Sequence, residues 1–287
     1  MADRIDFSGP PRATDMVSGW DFSPLPARAR SVRLTASFQA AIAEHDYPAP
    51  VAALVGEAAA AAVLLMGALR FEGRLSLQLQ TDGPLRLLLV QCDERFGYRA
   101  LARHDDVSDE PLMVPGARLA ITLEPSGRGE RYQGLVETVP GSLAATIENY
   151  FLQSEQLPTR VRLACDGASA AGVALQSVPG ARGDADWARL VDLFGAVRAA
   201  DLLQRDPLDL AAHLFPTEQV RVYERGPAFF QCACSRGRVT QLVRALGERE
   251  VREIIADEGA VEVRCEFCGR RYRFRPEEAF EALSAGS

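Results

Sequence analysis

At 287 residues, with 47% hydrophobic and 25% charged side chains, the chain has the make-up of a globular protein with one large domain and a smaller module, which excludes wholesale disorder. Its formal net charge is -7, and all 32 of its basic residues are arginine. Such an acidic balance argues against a phosphate-seeking protein.

Residues 1–30 mix Pro, Ser, Gly and Arg without sustained periodicity and are expected to form a loosely held extension. Their first part has no apolar stretch resembling a secretory leader. From residue 32 to 69 the pattern is helical, broken at Tyr47-Pro48-Ala49-Pro50. The longest uncharged apolar stretch, residues 58–69, is shorter than the roughly 20 residues a membrane helix needs, so it predicts a buried core helix. The expected location is therefore cytoplasmic, where cysteines are thiols, metal ligands or redox sensors.

Leu75, Leu77 and Leu79 alternate with polar residues over 74–80, predicting a half-buried strand, and Gly83-Pro84 turns into a second strand over 85–92. Residues 117–123 and 131–138 flank a glycine-bearing turn and predict a hairpin. Ser142 suits the N-cap of a helix to about residue 156, and 160–165 and 172–177 predict two more strands. Together these elements predict an α+β domain over 31–178, with a mixed or antiparallel sheet. Pro179-Gly180-Ala181-Arg182-Gly183 then marks a boundary. Beyond it Trp187, Leu190, Val191 and Phe194 fall on one helical stripe, followed by a helical patch at 208–214 and an extended run at 219–223. This linker, 179–230, has little core of its own, so its order must come from docking on the N-terminal domain.

The six cysteines are Cys92, Cys165, Cys232, Cys234, Cys265 and Cys268. The last four form a C-x-C and a C-x-x-C pair separated by 30 residues, 235–264. Zinc favours four ligands in a tetrahedron, and two short knuckles clamping one ion is a common protein solution. His45, His104 and His213 all lie elsewhere, so the site predicted is all-thiolate, with Cys232, Cys234, Cys265 and Cys268 as ligands and zinc as cofactor. A segment as small as 231–287 also needs a metal to fold, so a plain structural staple accounts for part of the pattern. The C-x-C pair, well placed to oxidise within itself, and the nearby Arg236, Arg264, Arg270 and Arg271, which favour reactive thiolates, point beyond a staple.

A nucleic-acid role is disfavoured, because 231–287 holds 10 arginines and 10 acidic residues. The run Arg270, Arg271, Arg273, Arg275 alternates with Tyr272 and Phe274 as a strand with one apolar face would. Cys92 and Cys165, among Leu, Val and Ala, are expected to be small buried hydrophobes. With scattered histidines and no phosphate-binding G-x-x-x-x-G-K-[ST] loop, nothing points to an enzyme.

Several segments carry a resemblance that spans nearly the whole chain. They are His45-Asp46-Tyr47-Pro48, Leu77-Gln78-Leu79-Gln80-Thr81-Asp82-Gly83-Pro84, Gly129-Glu130-Arg131-Tyr132-Gln133-Gly134, and the run Tyr150-Phe151-Leu152-Gln153-Ser154-Glu155-Gln156-Leu157-Pro158-Thr159-Arg160. With Cys232-Ala233-Cys234-Ser235-Arg236 and Cys265-Glu266-Phe267-Cys268-Gly269, the chain resembles the bacterial redox-regulated holdase chaperones of the thirty-three-kilodalton heat-shock class. Residues 1–20, Cys92 and Cys165 have no counterpart in that pattern. The resemblance implies an N-terminal α+β domain, a linker folded over it, and a zinc domain, 231–287, acting as redox sensor. It also implies an oxidised active form, commonly a homodimer, that binds unfolding client proteins without ATP; that no membrane or nucleic-acid partner is expected follows instead from the short apolar stretch and the charge balance.

Four cysteines allow three disulfide connectivities, of which chain proximity favours Cys232 to Cys234 and Cys265 to Cys268. Such bridges would tie nothing distant, so oxidation would release the metal, open the module and undock the linker stripe. Apolar surface would then be uncovered. The reading set against this one is a zinc-stapled nucleic-acid or protein-binding module with no redox role.

Overall fold

The computed structural model describes residues 15–69, 72–107, 111–127, 129–178 and 184–284. The chain divides into two compact units, one of Met1–Ile42 with Asp46–Phe230, the other of Ala43–His45 with Gln231–Ser287.

The first unit begins with β1 (Met16–Ser23), β2 (Ala27–Leu34), α1 (Ala36–Ile42) and α2 (Ala49–Ala68). Then come β3 (Gly73–Gln80), β4 (Leu85–Asp93), β5 (Gly97–His104), β6 (Arg118–Pro125) and β7 (Tyr132–Glu137). After α3 (Leu143–Tyr150) a π-helical turn, Phe151–Glu155, leads to β8 (Thr159–Cys165) and β9 (Ala170–Ser177). The linker supplies α4 (Asp184–Gly195), α5 (Ala199–Gln204), α6 (Pro207–Leu214), β10 (Gln219–Pro227) and β11 (Phe229–Phe230). One sheet runs β10-β1-β2-β9-β8, antiparallel throughout, and the other β11-β5-β4-β3-β6-β7, antiparallel except for β11 beside β5.

Helix α2 explains how the sheets share one core. It packs on strands of both, so it is apolar all round rather than striped, and residues from Val51 to Gly67 on every side are buried. By length and composition it could cross a membrane, but the protein's own strands enclose most of it. Its single charge, Glu57, is pushed above the ordinary carboxyl pKa by burial. The opposite face of the five-stranded sheet is covered by the linker. Trp20, Phe22, Ala29, Val173 and Leu175 pack there against Leu190, Phe194, Leu202, Leu214 and Phe215. Phe215 stands edge-on to Phe22 with ring centroids 4.9 Å apart.

The sequence expectation fails at the start of the chain. Residues 16–34 are not a loose extension or the start of a helix but two strands in the middle of a sheet. Both faces of β2 are covered, and its buried positions include Arg30 and Ser31, so no apolar alternation marks it. Strand β5 carries no apolar alternation either, since buried residues lie on both of its faces, and the helix expected to reach residue 156 changes to a π turn at Phe151. Ser142 is the N-cap expected, its Oγ accepting from Ala145 N at 3.1 Å. The boundary expected at 179–183 lies outside the described residues.

The second unit packs α7 (Arg236–Leu246), α8 (Glu248–Glu258) and α9 (Pro276–Ser284) on a hairpin of β12 (Val261–Arg264) and β13 (Arg271–Phe274). Gly259, at φ 74°, ends α8 in a conformation that other residues adopt at a cost, and lets the chain turn into β12. Only a few side chains form its core: Val239, Val243, Val251, Val261, Tyr272, Phe274, Ala279 and Ala282. Tyr272 and Phe274 are the buried face of β13, as their alternation with arginines predicts.

Candidate metal centre

Each cysteine pair sits where a regular element begins or ends. Cys232-Ala233-Cys234 precedes α7, whose N-cap Ser235 accepts from Arg238 N through Oγ at 3.3 Å. The turn Cys265-Glu266-Phe267-Cys268 joins β12 to β13, held by Gly269 N donating to Cys265 O at 2.8 Å and Cys265 N to Arg270 O at 2.9 Å. Gly269, at φ 66°, completes this turn.

The four Sγ atoms come together within 4.8 Å of one another. Cys232 and Cys265 are 3.6 Å apart at sulfur, and Cys234 and Cys268 3.4 Å. A tetrahedral zinc site with Zn–S bonds of about 2.3 Å has sulfur–sulfur edges of about 3.8 Å. A disulfide would need about 2.05 Å. The cluster thus fits a tetrahedral thiophilic ion, and all six cysteines are free thiols.

Electrostatics single out one sulfur. Burial opposes the Cys234 thiolate, but hydrogen bonds from Tyr272 and the facing cysteines outweigh it and bring that thiol down to about 7. Burial first, and then hydrogen bonds among the thiols, pushes Cys232 up and Cys268 up to about 12. Tyr272 Oη donates to Cys234 Sγ at 3.1 Å. Arg270 is close enough for Cys234 and Cys268 to raise its pKa, after its hydrogen bond with Tyr272.

The alternation of β13 marked Tyr272 as an inward apolar residue, and nothing in that pattern signals its hydroxyl. Tyr272→Phe should therefore weaken metal binding by about 10-fold at pH 7, as loss of an outer-shell hydrogen bond does elsewhere. The deficit should shrink as pH rises past the ordinary thiol pKa of about 8.5, where protons no longer compete for the sulfur. Competition with a chromogenic chelator across pH measures it, and equal affinities at pH 7 would remove the role given to the hydroxyl.

The other predicted residues fall elsewhere. Leu190 and Phe194 are buried under the five-stranded sheet, whereas Trp187 and Val191 are only half-buried, and Val197, Leu202 and Leu210 complete the contact. Cys92 is fully buried, and burial drives its thiol pKa up. Half-buried Cys165 is raised to about 11, again by burial. Within the arginine run, Arg273 pairs with Glu262 at 3.6 Å, and nearby Arg236 with Glu278 at 2.9 Å.

Fold and site together define an α+β protein of two units, the smaller carrying a four-cysteine cluster with the geometry of a metal centre. The sequence model of the Hsp33 protein family matches residues 20–275. The 33 kDa chaperonin of Nitrosococcus oceani is 40% identical over 257 residues, covering 88% of this chain and 89% of that one. Its counterpart in Azotobacter vinelandii is 37% identical over 284 residues, 95% of each. The crystal structure of the 33 kDa chaperonin from Thermotoga maritima, at 20% identity, shares the fold with a TM-score of 0.81 over 94% of this chain and 98% of that one. The chain belongs to the Hsp33 family.

Proposed function

We propose that this protein is an ATP-independent holdase chaperone, held quiescent by zinc while reduced and activated by oxidation of Cys232, Cys234, Cys265 and Cys268. The observation that carries the reading is the meeting of two knuckles, 30 residues apart, in one four-sulfur cluster inside a unit with a small core. Similarity to proteins named 33 kDa chaperonin supports the chaperone half.

Bound zinc would supply a cross-link between the knuckles and keep the four sulfurs as thiolates. Oxidation would remove two electrons from each pair of thiolates, taken up by an oxidant such as peroxide as it is reduced to water, and the zinc ion would leave as its four ligands become two disulfides. A bridge within Cys232 and Cys234, and another within Cys265 and Cys268, leaves the knuckles unconnected and the unit without its long-range constraint. The loosening passes along the backbone, because β11 ends at Phe230, directly before Gln231 and Cys232. Release of α4, α5 and α6 then uncovers the apolar sheet face of Trp20, Phe22, Val173 and Leu175, the kind of surface that captures unfolding clients. Free thiols suit a reducing compartment, consistent with a cytoplasmic protein, and the active form is a homodimer in this reading.

The test is light scattering of a thermally unfolding client with reduced and peroxide-treated protein side by side. Protection should appear only after oxidation and together with zinc release. Equal protection by both forms, or none by either, refutes redox control. Peptide mapping of the active form should find the two within-pair bridges, and a dominant Cys234 to Cys265 bridge would refute the pairing.

A further inference from the structure

Helices α7 and α9 of the second unit flank a groove of about 290 Å³, open to solvent on one side and close to the lower size limit of clefts that hold small molecules. Arg236, Thr240 and Arg244 line it from one face of α7, where a spacing of four residues stacks them, and Glu278 and Glu281 line it from α9. Some of this polarity is already spent. Arg236 pairs with Glu278 at 2.9 Å, its guanidinium carbon lies 4.4 Å from the ring centre of Phe274, and Thr240 Oγ1 donates to Arg236 O at 2.9 Å.

Two opposite charges are left over. Half-buried Arg244 donates through Nε to the carbonyl oxygen of Ala282, in the last turn of α9. That bond anchors the guanidinium, while its terminal N–H groups meet no acceptor among the described residues. Glu281 is exposed and makes no hydrogen bond or ion pair among the described residues. Both side chains line the groove, and they do not pair with each other.

We propose that this groove binds a small zwitterion of the amino-acid kind, with its carboxylate on the Arg244 fork and its ammonium group on Glu281. The sign pattern selects that class. A simple anion would bring a like charge to Glu281, and a simple cation would bring one to Arg244, so each would leave one charge of the groove opposed rather than matched. The polar walls suit a hydrophilic ligand. A molecule held by both residues joins α7 to α9 and favours the folded form of the second unit by mass action. None of the four cysteines lines the groove, so binding needs no redox step.

The experiment is a two-dimensional proton–nitrogen NMR titration of the reduced, zinc-loaded full-length protein at constant ionic strength. The probes are γ-aminobutyrate, which carries both charges, butyrate, which lacks the ammonium group, and butylammonium, which lacks the carboxylate. Adding γ-aminobutyrate should shift the amide signals of Thr240, Arg244 and Glu281 saturably, with a dissociation constant in the millimolar range, and each single-charge probe should bind about 10-fold more weakly. Glu281→Gln changes an exposed, unpaired side chain, so the fold should persist while affinity for γ-aminobutyrate drops about 10-fold, to that of butyrate. Arg244→Gln should lower it to that of butylammonium. Equal binding of butyrate and γ-aminobutyrate, unchanged affinity in Glu281→Gln, or no saturable shift at these amides overturns the proposal. Should Arg244→Gln disturb the packing of α9, Glu281→Gln decides.

Discussion

Replacing Cys232 and Cys265 together by serine should abolish zinc binding and unfold residues 231–287, while the first unit keeps its structure. One cysteine is taken from each knuckle, so neither retains the ligand pair needed to hold an ion alone. A structural zinc contributes about 10–16 kcal/mol of apparent folding free energy at pH 7. Against that, the second unit's core holds two aromatic rings and otherwise valines and alanines, and a segment this short buries little apolar surface relative to its chain entropy. The metal term decides whether the unit folds. Metal analysis should find no stoichiometric zinc, and limited proteolysis should cut within 231–287 with the first unit resistant. Full zinc occupancy in the double variant would overturn the ligand assignment; loss of zinc with protease resistance intact would show that the small core suffices.

Phe194→Ala should make the reduced, zinc-loaded protein partly active. Phe194 is fully buried between α4 and the five-stranded sheet, with the Arg162 guanidinium 5.5 Å from its ring centre. Truncating such a ring costs about 3–5 kcal/mol, comparable with what a few short helices gain by docking. The linker should then open without oxidation, exposing the sheet face around Trp20 and Phe22. Trp187→Ala makes the internal comparison: Trp187 is half-buried, so the same truncation should release less. Client protection by the reduced variants should rank Phe194→Ala above Trp187→Ala above wild type, with zinc content unchanged in all three. If reduced Phe194→Ala shows neither added protease sensitivity over 184–230 nor client protection, linker docking does not gate activity.

The four-cysteine cluster could be read from sequence because short-range spacing determines it. Two knuckles and an absence of nearby histidine leave little freedom in how four thiols meet. The alternation of Leu75, Leu77 and Leu79 and the stripe at Leu190 and Phe194 were legible for the same reason, since a local period reports which face is buried. What escaped was set by distant partners. Strand β1 is covered on one face by the core around α2 and on the other by α4 to α6, and it pairs with β10, so its sequence carries no single apolar face. Trp187 shares the helical stripe but lies at its rim, a matter of how far the neighbouring sheet extends. Arg30 closes a stretch whose composition predicts a loose, polar extension, and only the packing of α2 onto β2 buries it.

The pairing of β10 with β1 also bears on how the protein is made. Asp21 and Arg221, joined across this seam at 2.7 Å, are 200 residues apart in the chain. Contacts at such separation form late, and the N-terminal portion of a nascent chain leaves the ribosome long before the linker is synthesised. Strand β1 must wait with one edge open, a form prone to pairing with other chains. Strand β2 gives it a local hairpin partner in the meantime, and β9 pairs with β2 before β10 is translated. The edge strand β10 is thus added last, to a sheet whose three other pairings need nothing from it.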